Sequence, residues 1–261
     1  MIKAKKNLGQ NFLIDKNILE KIVKSTNIED KTVLEVGPGT GNLTEYIFKK
    51  NPKKIIAIEK DNELVNILKK RFENKLDIIN DDILQIDETK LSKEKLIVFG
   101  NLPYNISTEI LIKWIINIGD VLWFENLVLM FQKEVGDRII SNYNNSKYGR
   151  LSILSNWKFK INKICDIKPN SFFPKPKIDS SLLFFEPKRN YYKFKDPKNL
   201  EKITRIFFNS RRKMIKKPFN QIFNGDVRIL EKLKIDLSLR PQNLNFETYY
   251  KLTEEFENLR S

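Results

Sequence analysis

The stretch Val98-Phe99-Gly100-Asn101-Leu102-Pro103-Tyr104-Asn105-Ile106-Ser107-Thr108 decides the fold assignment, because an apolar run stops there in a polar turn. Residues 96–99 are predicted to form a buried strand, and Pro103 cannot continue a central ladder of strands. Asn101 is therefore predicted to lie where a strand ends. In open α/β sheets, ligands bind at that edge.

The tetrapeptide Asn101-Leu102-Pro103-Tyr104 suits a substrate with an exocyclic amine on a planar ring, such as adenine. The lone pair of such an amine is delocalised into the ring, which makes the nitrogen a poor nucleophile. The Asn101 side-chain oxygen and the Leu102 carbonyl can each accept one amino hydrogen, which favours a pyramidal nitrogen. Tyr104 is predicted to stack on the ring. A plain strand-ending turn is the alternative, and the tetrapeptide alone does not exclude it.

The composition predicts a polyanionic partner. The 261 residues include 48 Lys and Arg against 33 Asp and Glu, a formal net charge of +15. The excess is uneven, because residues 187–217 contain 12 basic and 2 acidic side chains. A charge of this kind is typical of proteins that bind nucleic acids.

The rare residue types exclude several classes of function. Cys165 is the single cysteine and there is no histidine, so an internal disulfide, a His/Cys zinc site and a His-based catalytic triad are excluded. We expect no metal. The sequence has no apolar run of 18 residues and no apolar segment like a signal peptide at its start. These features predict a cytoplasmic protein without a membrane partner.

A glycine-rich turn predicts a nucleoside-bearing cofactor. A buried strand at 32–36 runs into Gly37-Pro38-Gly39-Thr40-Gly41 and then a helix, and Glu59 ends the next strand 22 residues after Gly37. An acidic group at that position suits ribose hydroxyls. Asn42 stands where a dinucleotide fingerprint needs glycine, which disfavours NAD. With Glu35 two residues before the first glycine, the pattern is the form common in methyltransferases that use S-adenosylmethionine.

Acidic and polar side chains also follow the neighbouring strands. After the strand predicted at 76–79, Asp82 can accept a hydrogen bond from the cofactor's adenine amino group, with Ile83 against the ring face. Each acidic residue taken singly also fits a loop or a helix entry. Their place at successive strand ends, together with the glycine turn and Asn101, favours a shared site.

Three further segments have two interpretations each. Residues 5–15 are either a basic arm before a covering helix or a flap that closes the cofactor pocket. The loop at 142–150, with Lys147 and Arg150, suits RNA contact but also fits an ordinary surface loop. In the loop at 169–180, prolines stiffen the chain, and Phe172 can close over a flipped base from the side opposite Tyr104.

Taken in order, these motifs resemble the ribosomal RNA adenine dimethyltransferases, most specifically the type that acts on the small subunit. The resemblance rests on residues 9–13, 35–41, 99–108, 132–135, 148–152 and 172–180. It implies a Rossmann-like α/β sheet of seven strands with a reversed last hairpin, and S-adenosylmethionine as the cofactor. It further implies that the cofactor is contacted by Asn11, Leu13, Gly37, Glu59, Asp82 and Asn101. Glu35, Gly39 and Ile83 complete the predicted cofactor site.

Two domains are predicted: an S-adenosylmethionine-binding catalytic domain over residues 1–186, and a small basic α-helical RNA-binding domain over residues 187–261. Helices are expected at 200–208, 209–214, 227–235 and 246–258. Arg211, Arg212 and Lys213 on one of these helices can span adjacent phosphates, although a solvated charged face is the alternative.

The predicted reaction is dimethylation of N6 of adenosines in small-subunit rRNA, and the resemblance implies that the targets are two adjacent adenosines in the loop of the 3′-terminal helix. The predicted form is a monomer acting on a pre-30S-type particle. One alternative is the related large-subunit methylase that confers macrolide resistance; Leu102 and Asp179 favour the small-subunit type, because the resistance enzymes more often have Ile and Asn there. Another is a non-catalytic RNA-binding assembly or transcription factor on the same fold, which the intact motif at 101–104 argues against.

Overall fold

The computed structural model of the chain describes residues 4–5, 9–119 and 122–259. They divide into two compact units. The first unit takes its residues from Met1–Trp114, Ile118–Gly136 and Lys160–Pro187, and the second from Ile115–Asn117, Asp137–Phe159 and Lys188–Ser261. The two-domain prediction with a boundary at residue 187 stays a prediction, since the second unit also contains residues 137–159.

The first unit is built on a mixed sheet, which within the described residues has seven strands: β2 (Thr32–Val36), β3 (Lys54–Ile58), β4 (Asp77–Ile79), β5 (Leu96–Gly100), β6 (Phe124–Gln132), β7 (Phe159–Ile167) and β9 (Ser180–Pro187). Their order across the sheet is β4-β3-β2-β5-β6-β9-β7. The strands from β2 to β6 run parallel, and β9 runs antiparallel to β6. The predicted α/β fold with a reversed last strand pair is therefore confirmed.

α-Helices make the crossovers from β2 to β3, from β3 to β4 and from β5 to β6, as is usual in a parallel sheet. Strands β2 and β5 are buried along their whole length, as expected for central strands that are covered on both faces. A separate pair, β1 (Phe12–Leu13) with β8 (Phe172–Phe173), is antiparallel. The helices are α1 (Lys16–Val23), α2 (Asn42–Phe48), α3 (Asn62–Phe72), α4 (Ser107–Asn117) and α5 (Lys133–Ile139).

The register of the sheet explains why the predicted site residues meet. Val36 on β2 lies opposite Ile58 on β3 and opposite Gly100 on β5. The three strands therefore end level with one another. The residues that follow them, Gly37, Glu59 and Asn101, emerge at the same carboxyl edge.

The second unit contains helices α6 (Arg150–Lys158), α7 (Lys198–Phe208), α8 (Lys216–Phe223), α9 (Val227–Leu233) and α10 (Phe246–Asn258). Its core is aromatic: the Tyr249 ring lies 5.7 Å from that of Phe207, edge to face. The Tyr249 hydroxyl donates to the Pro241 carbonyl at 2.7 Å, so its polar end is satisfied while its ring is buried.

Two predicted elements are wrong in their bounds. The run from Trp157 to Ile164 predicts a strand, but Trp157 lies in the last turn of α6 and the strand begins at Phe159. The indole N–H of Trp157 donates to the Tyr192 carbonyl. Residues 209–213 form a turn rather than a helix. Asn209 and Ser210 have low helix propensity and favour caps and turns, so α7 ends before the basic residues begin. No helix within the described ranges is long and apolar enough to cross a lipid bilayer.

Candidate active site

One cavity at the carboxyl edge of the sheet is lined by the nine residues predicted to bind the cofactor and by three of the predicted catalytic residues. The nine are Asn11, Leu13, Glu35, Gly37, Gly39, Glu59, Asp82, Ile83 and Asn101, and the three others are Leu102, Pro103 and Tyr104. All of them belong to the first unit.

The glycine turn after β2 needs its glycines for two reasons. Gly37 and Gly39 have φ values of 70° and 59°, in the left-handed region that side-chain-bearing residues rarely adopt. A Cβ on Gly39 would also lie 2.9 Å from the ring of Phe12, which packs over the turn. The turn therefore packs against segment 9–13, which also lines the cavity.

Glu59 is held in a fixed position at the end of β3. Its side chain is 8% exposed, and its two carboxylate oxygens accept the backbone N–H groups of Gly39 at 3.2 Å and Asp61 at 2.9 Å. Burial raises its pKa, while the backbone N–H donors act in the opposite direction. Each oxygen keeps a second lone pair that can accept a hydroxyl, which is the chemistry a ribose requires.

Asp82 presents a carboxylate at the next strand end. Lys60 Nζ donates to Asp82 Oδ2 at 2.7 Å, and this contact lowers the pKa of Asp82 against the effect of its partial burial. The other oxygen accepts the N–H of Leu84 at 3.0 Å. Ile83 beside it is 5% exposed, so it offers an apolar wall next to the acceptor.

Glu35 is the most deeply buried acidic group of the cavity wall. The carboxylate is 1% exposed and accepts a hydrogen bond of 2.6 Å from the Thr44 hydroxyl. Burial raises its pKa to about 7, the Thr44 hydroxyl opposes this, and the nearby Glu59 adds to it. Ionisation of Glu35 and Glu59 together is therefore unfavourable.

Asn101 has a defined amide orientation. Its Nδ2 donates to the backbone carbonyl of Asn11 at 3.0 Å. An amide has one donor end and one acceptor end, so this bond leaves Oδ1 as the acceptor available at the cavity. Leu102 packs its side chain inward, 1% exposed, against Gly100, where a Cβ would lie 2.8 Å from it.

Tyr104 is fixed through its hydroxyl, whose oxygen lies 2.5 Å from Ser180 Oγ at the start of β9. Burial raises the pKa of Tyr104, with the Ser180 hydrogen bond opposing, so the phenol is neutral at physiological pH. This hydrogen bond restricts the movement of the Tyr104 ring. That is what a stacking platform for a planar base needs.

Phe172 does not face a base. It is 1% exposed, lies opposite Leu13 in the β1–β8 pair, and belongs to the hydrophobic core. The adjacent Phe173 is 56% exposed. Successive side chains in a strand point to opposite faces, so a Phe-Phe dipeptide buries one ring and exposes the other. The prediction that Phe172 closes over the base is therefore wrong.

Two of the predicted RNA-binding residues in the second unit have partners within the protein. Lys147 Nζ lies 2.6 Å from a carboxylate oxygen of Asp137, and an Arg150 guanidinium nitrogen lies 3.3 Å from Glu201. These ion pairs are partly exposed, so they do not prevent contact with a phosphate, but they give each residue a structural role as well.

The predicted trio 211–213 is divided by the turn that replaces the helix. The Arg211 guanidinium donates to the Ser146 carbonyl and, through Nε at 3.2 Å, to Gln242. Arg212 and Lys213 are exposed and have no ion-pair partner among the described residues. Arg211 therefore ties loops of the second unit together, while its two neighbours present free charge.

Residues that the sequence patterns did not single out also shape the site. Asp61 fits an ordinary helix N-cap, and Ser180 and Thr44 are small hydroxyl residues within predicted elements. Only their contacts with Glu59, Tyr104 and Glu35 reveal them. No spacing or composition signal in the sequence points to these contacts.

The donor set fits S-adenosylmethionine. The cavity joins carboxylates that can accept ribose and amino hydrogens to an apolar wall, with glycines that allow close approach of the backbone. Its described lining carries one basic side chain, Lys60, and that amine is paired with Asp82. No group of three metal-ligating side chains occurs among the described residues.

Known proteins resemble this chain over nearly its whole length. A family model described as ribosomal RNA adenine dimethylase matches residues 1–258. The ribosomal RNA small subunit methyltransferase A of Pelagibacter ubique (strain HTCC1062) is 65% identical over 259 residues, which cover 99% of each chain. The protein of the same name from Ehrlichia ruminantium (strain Gardel) is 43% identical over 95% of each chain.

Two solved structures share the fold. A dimethyladenosine transferase from Plasmodium falciparum superposes with a TM-score of 0.81 and 28% identity, covering 95% of this chain and 98% of that one. The 23S rRNA methyltransferase ErmE has a TM-score of 0.70 at 19% identity, covering 95% of this chain and 100% of its own. The family match spans nearly the whole sequence, and the relatives are matched over nearly their whole length. This chain belongs to the ribosomal RNA adenine dimethylase family.

Proposed function

We propose that this protein dimethylates N6 of two adjacent adenosines in the 3′-terminal helix loop of small-subunit rRNA. The proposal is supported by family membership and by relatives named ribosomal RNA small subunit methyltransferase A. The single observation that carries it is the Asn101 amide, whose donor end is bound by the Asn11 carbonyl and whose acceptor end is available at the cavity.

The catalytic task of the chain is to position and polarise an amine. Asn101 Oδ1 and the Leu102 carbonyl accept the two amino hydrogens, which draws the nitrogen lone pair out of conjugation with the ring. Tyr104, held by Ser180, stacks on the base and keeps it in register. Pro103 stiffens the backbone between these groups.

S-adenosylmethionine supplies a methyl group already activated on a sulfonium, so no strong general base is required. After each transfer, the proton of the amine passes to water. A neutral acceptor at position 101 serves the amine and the monomethylated amine alike, without holding a charged product too tightly. We propose that Asn11, Leu13, Glu35, Gly37, Gly39, Glu59, Asp82 and Ile83 hold the cofactor beside Asn101.

Recognition of the RNA falls to basic side chains. We propose that the exposed Arg212 and Lys213 contact phosphates, with Lys147 and Arg150 as further contacts and Arg211 bracing the turn between them. We further propose that the protein works in the cytoplasm, as a monomer, on a pre-30S-type particle. A particle of that kind offers the rRNA helix in its partly assembled surroundings.

The test is transfer of tritiated methyl groups to 30S and 50S particles from an unmethylated strain, with Asn101→Ala as the matched control. Label is expected in the 30S rRNA alone, as dimethyladenosine, and is expected to fall sharply with the variant. Label in the 50S rRNA would support the large-subunit alternative. No label in either particle, from a protein that binds them, would support a non-catalytic RNA-binding role and refute the proposal.

A further inference from the structure

Asp61 makes more contacts than a helix cap needs. It is 5% exposed and caps α3 by accepting the N–H of Glu63 at 3.0 Å. Its carboxylate also accepts Lys5 Nζ at 2.7 Å on one oxygen and Gln10 Nε2 at 2.8 Å on the other. An N-cap uses one side-chain oxygen. The remaining contacts tie a distant part of the chain to this residue.

The tied part is the N-terminal segment that crosses the cavity. The N–H of Lys5 donates to Gln10 Oε1 at 2.8 Å, so the two residues that bind Asp61 also bind each other. The segment 9–13 follows, and its far end is fastened where the Leu13 carbonyl accepts Asn42 Nδ2 at 2.8 Å. Residues 6–8 of the segment that the sequence predicts to be either a basic arm or a flap lie outside the described residues.

Asp61 also contacts Glu59, whose carboxylate is predicted to bind the cofactor. The backbone N–H of Asp61 donates to Glu59 at 2.9 Å. Asp61 therefore links Lys5 and Gln10, in the N-terminal segment, to Glu59 in the cavity wall. The segment carries the effect further, because the carbonyl of Asn11 accepts Asn101 Nδ2.

We propose that Asp61 is a positioning residue that fastens the segment 9–13 across the cofactor cavity and thereby holds the Asn101 amide in its orientation. The fastening follows from the contacts of Asp61 alone, whereas its catalytic consequence rests on the function proposed above for Asn101. The orientation of the Asn101 amide depends on segment 9–13, because the Asn11 carbonyl in that segment accepts the hydrogen bond from Asn101 Nδ2.

The expected size of the effect follows from the type of bond. Hydrogen bonds to a charged group contribute about 1.5–3 kcal/mol each, which corresponds to about a 10- to 150-fold change in an equilibrium. Asp61→Asn keeps one oxygen for the helix cap but loses the charge and the second acceptor. It cannot accept from Lys5 and Gln10 together.

The experiment compares Asp61→Asn with Asp226→Asn. Asp226 caps α9 and pairs with Arg228, and its side-chain contacts among the described residues are all local. It therefore matches the helix cap of Asp61 without a link to segment 9–13. We expect Asp61→Asn to speed amide hydrogen exchange in residues 9–13 and to raise the calorimetric Kd for S-adenosylmethionine, each by about tenfold or more. The rate of methyl transfer at saturating cofactor should fall as well, because Asn101 loses its anchor. Asp226→Asn should leave all three quantities within about twofold of wild type.

A second variant guards against a simple loss of stability. Gln10→Ala removes the hydrogen bond from Gln10 to Asp61 but leaves the cap of α3 intact. It should reproduce part of the increase in hydrogen exchange and in the Kd for S-adenosylmethionine. In the double variant with Asp61→Asn, the two effects on exchange should be less than additive, because both substitutions remove the same hydrogen bond between Gln10 and Asp61. Unchanged exchange and cofactor affinity in Asp61→Asn, or full additivity, would overturn the proposal. Exchange and calorimetry need no RNA, so failure of wild-type protein to methylate 30S particles would refute the proposed function separately.

Discussion

Replacing Glu35 with Gln should stabilise the cofactor-free protein at alkaline pH and have little effect at acidic pH. The Glu35 carboxyl is 1% exposed, and burial raises its pKa from 4.5 to about 7, against the opposing Thr44 hydrogen bond. A pKa shift of one unit corresponds to about 1.4 kcal/mol, so ionising this carboxyl in the folded protein costs about 3 kcal/mol.

The sign follows from proton linkage. A carboxyl whose pKa is higher in the folded state is held there in its neutral form, and this contribution is complete below pH 4.5. It is lost as the pH rises toward about 7, because the folded protein must then ionise a buried group. Gln carries no charge at any pH, and its amide oxygen can accept the same hydroxyl of Thr44. The difference in unfolding free energy between variant and wild type should therefore increase with pH.

The assay is chemical denaturation of both proteins without cofactor, at pH 5 and at pH 8.5. The variant should match wild type within about 1 kcal/mol at the lower pH and exceed it by about 2–3 kcal/mol at the higher. Glu109→Gln, at an exposed position on α4, controls for the change of residue type and should show the same difference at both pH values. An equal effect of Glu35→Gln at the two pH values would refute the argument that burial controls this carboxyl.

Three further outcomes are expected. Asn101→Ala should slow methyl transfer by about a hundredfold or more, as measured by single-turnover kinetics, while leaving cofactor affinity nearly unchanged; equal losses of both would make Asn101 mainly a cofactor ligand. Phe172→Ala should lower the unfolding free energy by about 3–5 kcal/mol, and Phe173→Ala by less than about 1 kcal/mol; the reverse order would contradict the strand register. Arg212→Ala with Lys213→Ala should flatten the salt dependence of particle binding by about 0.7 to 0.9 slope units per lost phosphate contact; parallel lines would show that these charges face solvent.

The parts of the site that could be predicted are those that the sheet itself brings together. Apolar runs that stop at Gly37, Glu59 and Asn101 mark strand ends, and parallel strands of similar length end at one edge. No three-dimensional information is needed for that inference, because the register follows from the buried runs. The α/β fold was predictable from the same pattern.

The parts that could not be predicted depend on a choice between two nearly equal local options. Phe172 and Phe173 have the same side chain, and only the pairing of β8 with β1 determines which ring enters the core. Asn209 and Ser210 favour an end to α7, but the sequence does not show which group then holds Arg211, and in the fold its guanidinium donates to the Ser146 carbonyl. Both outcomes depend on partners far away in the sequence.

The neutral side chain at position 101 has a structural reason in addition to its chemistry. A carboxylate there would place two acceptors toward the cavity and the Asn11 carbonyl, where Asn101 Nδ2 now donates at 3.0 Å. The carbonyl oxygen would then face a negative oxygen instead of a donor, and a partly buried pair of acceptors without a proton between them is unfavourable. An amide satisfies the backbone with one end and the substrate amine with the other. The fold therefore selects an amide over a carboxylate before any substrate is bound, and the same bond that selects it also determines which end of the amide faces the amine.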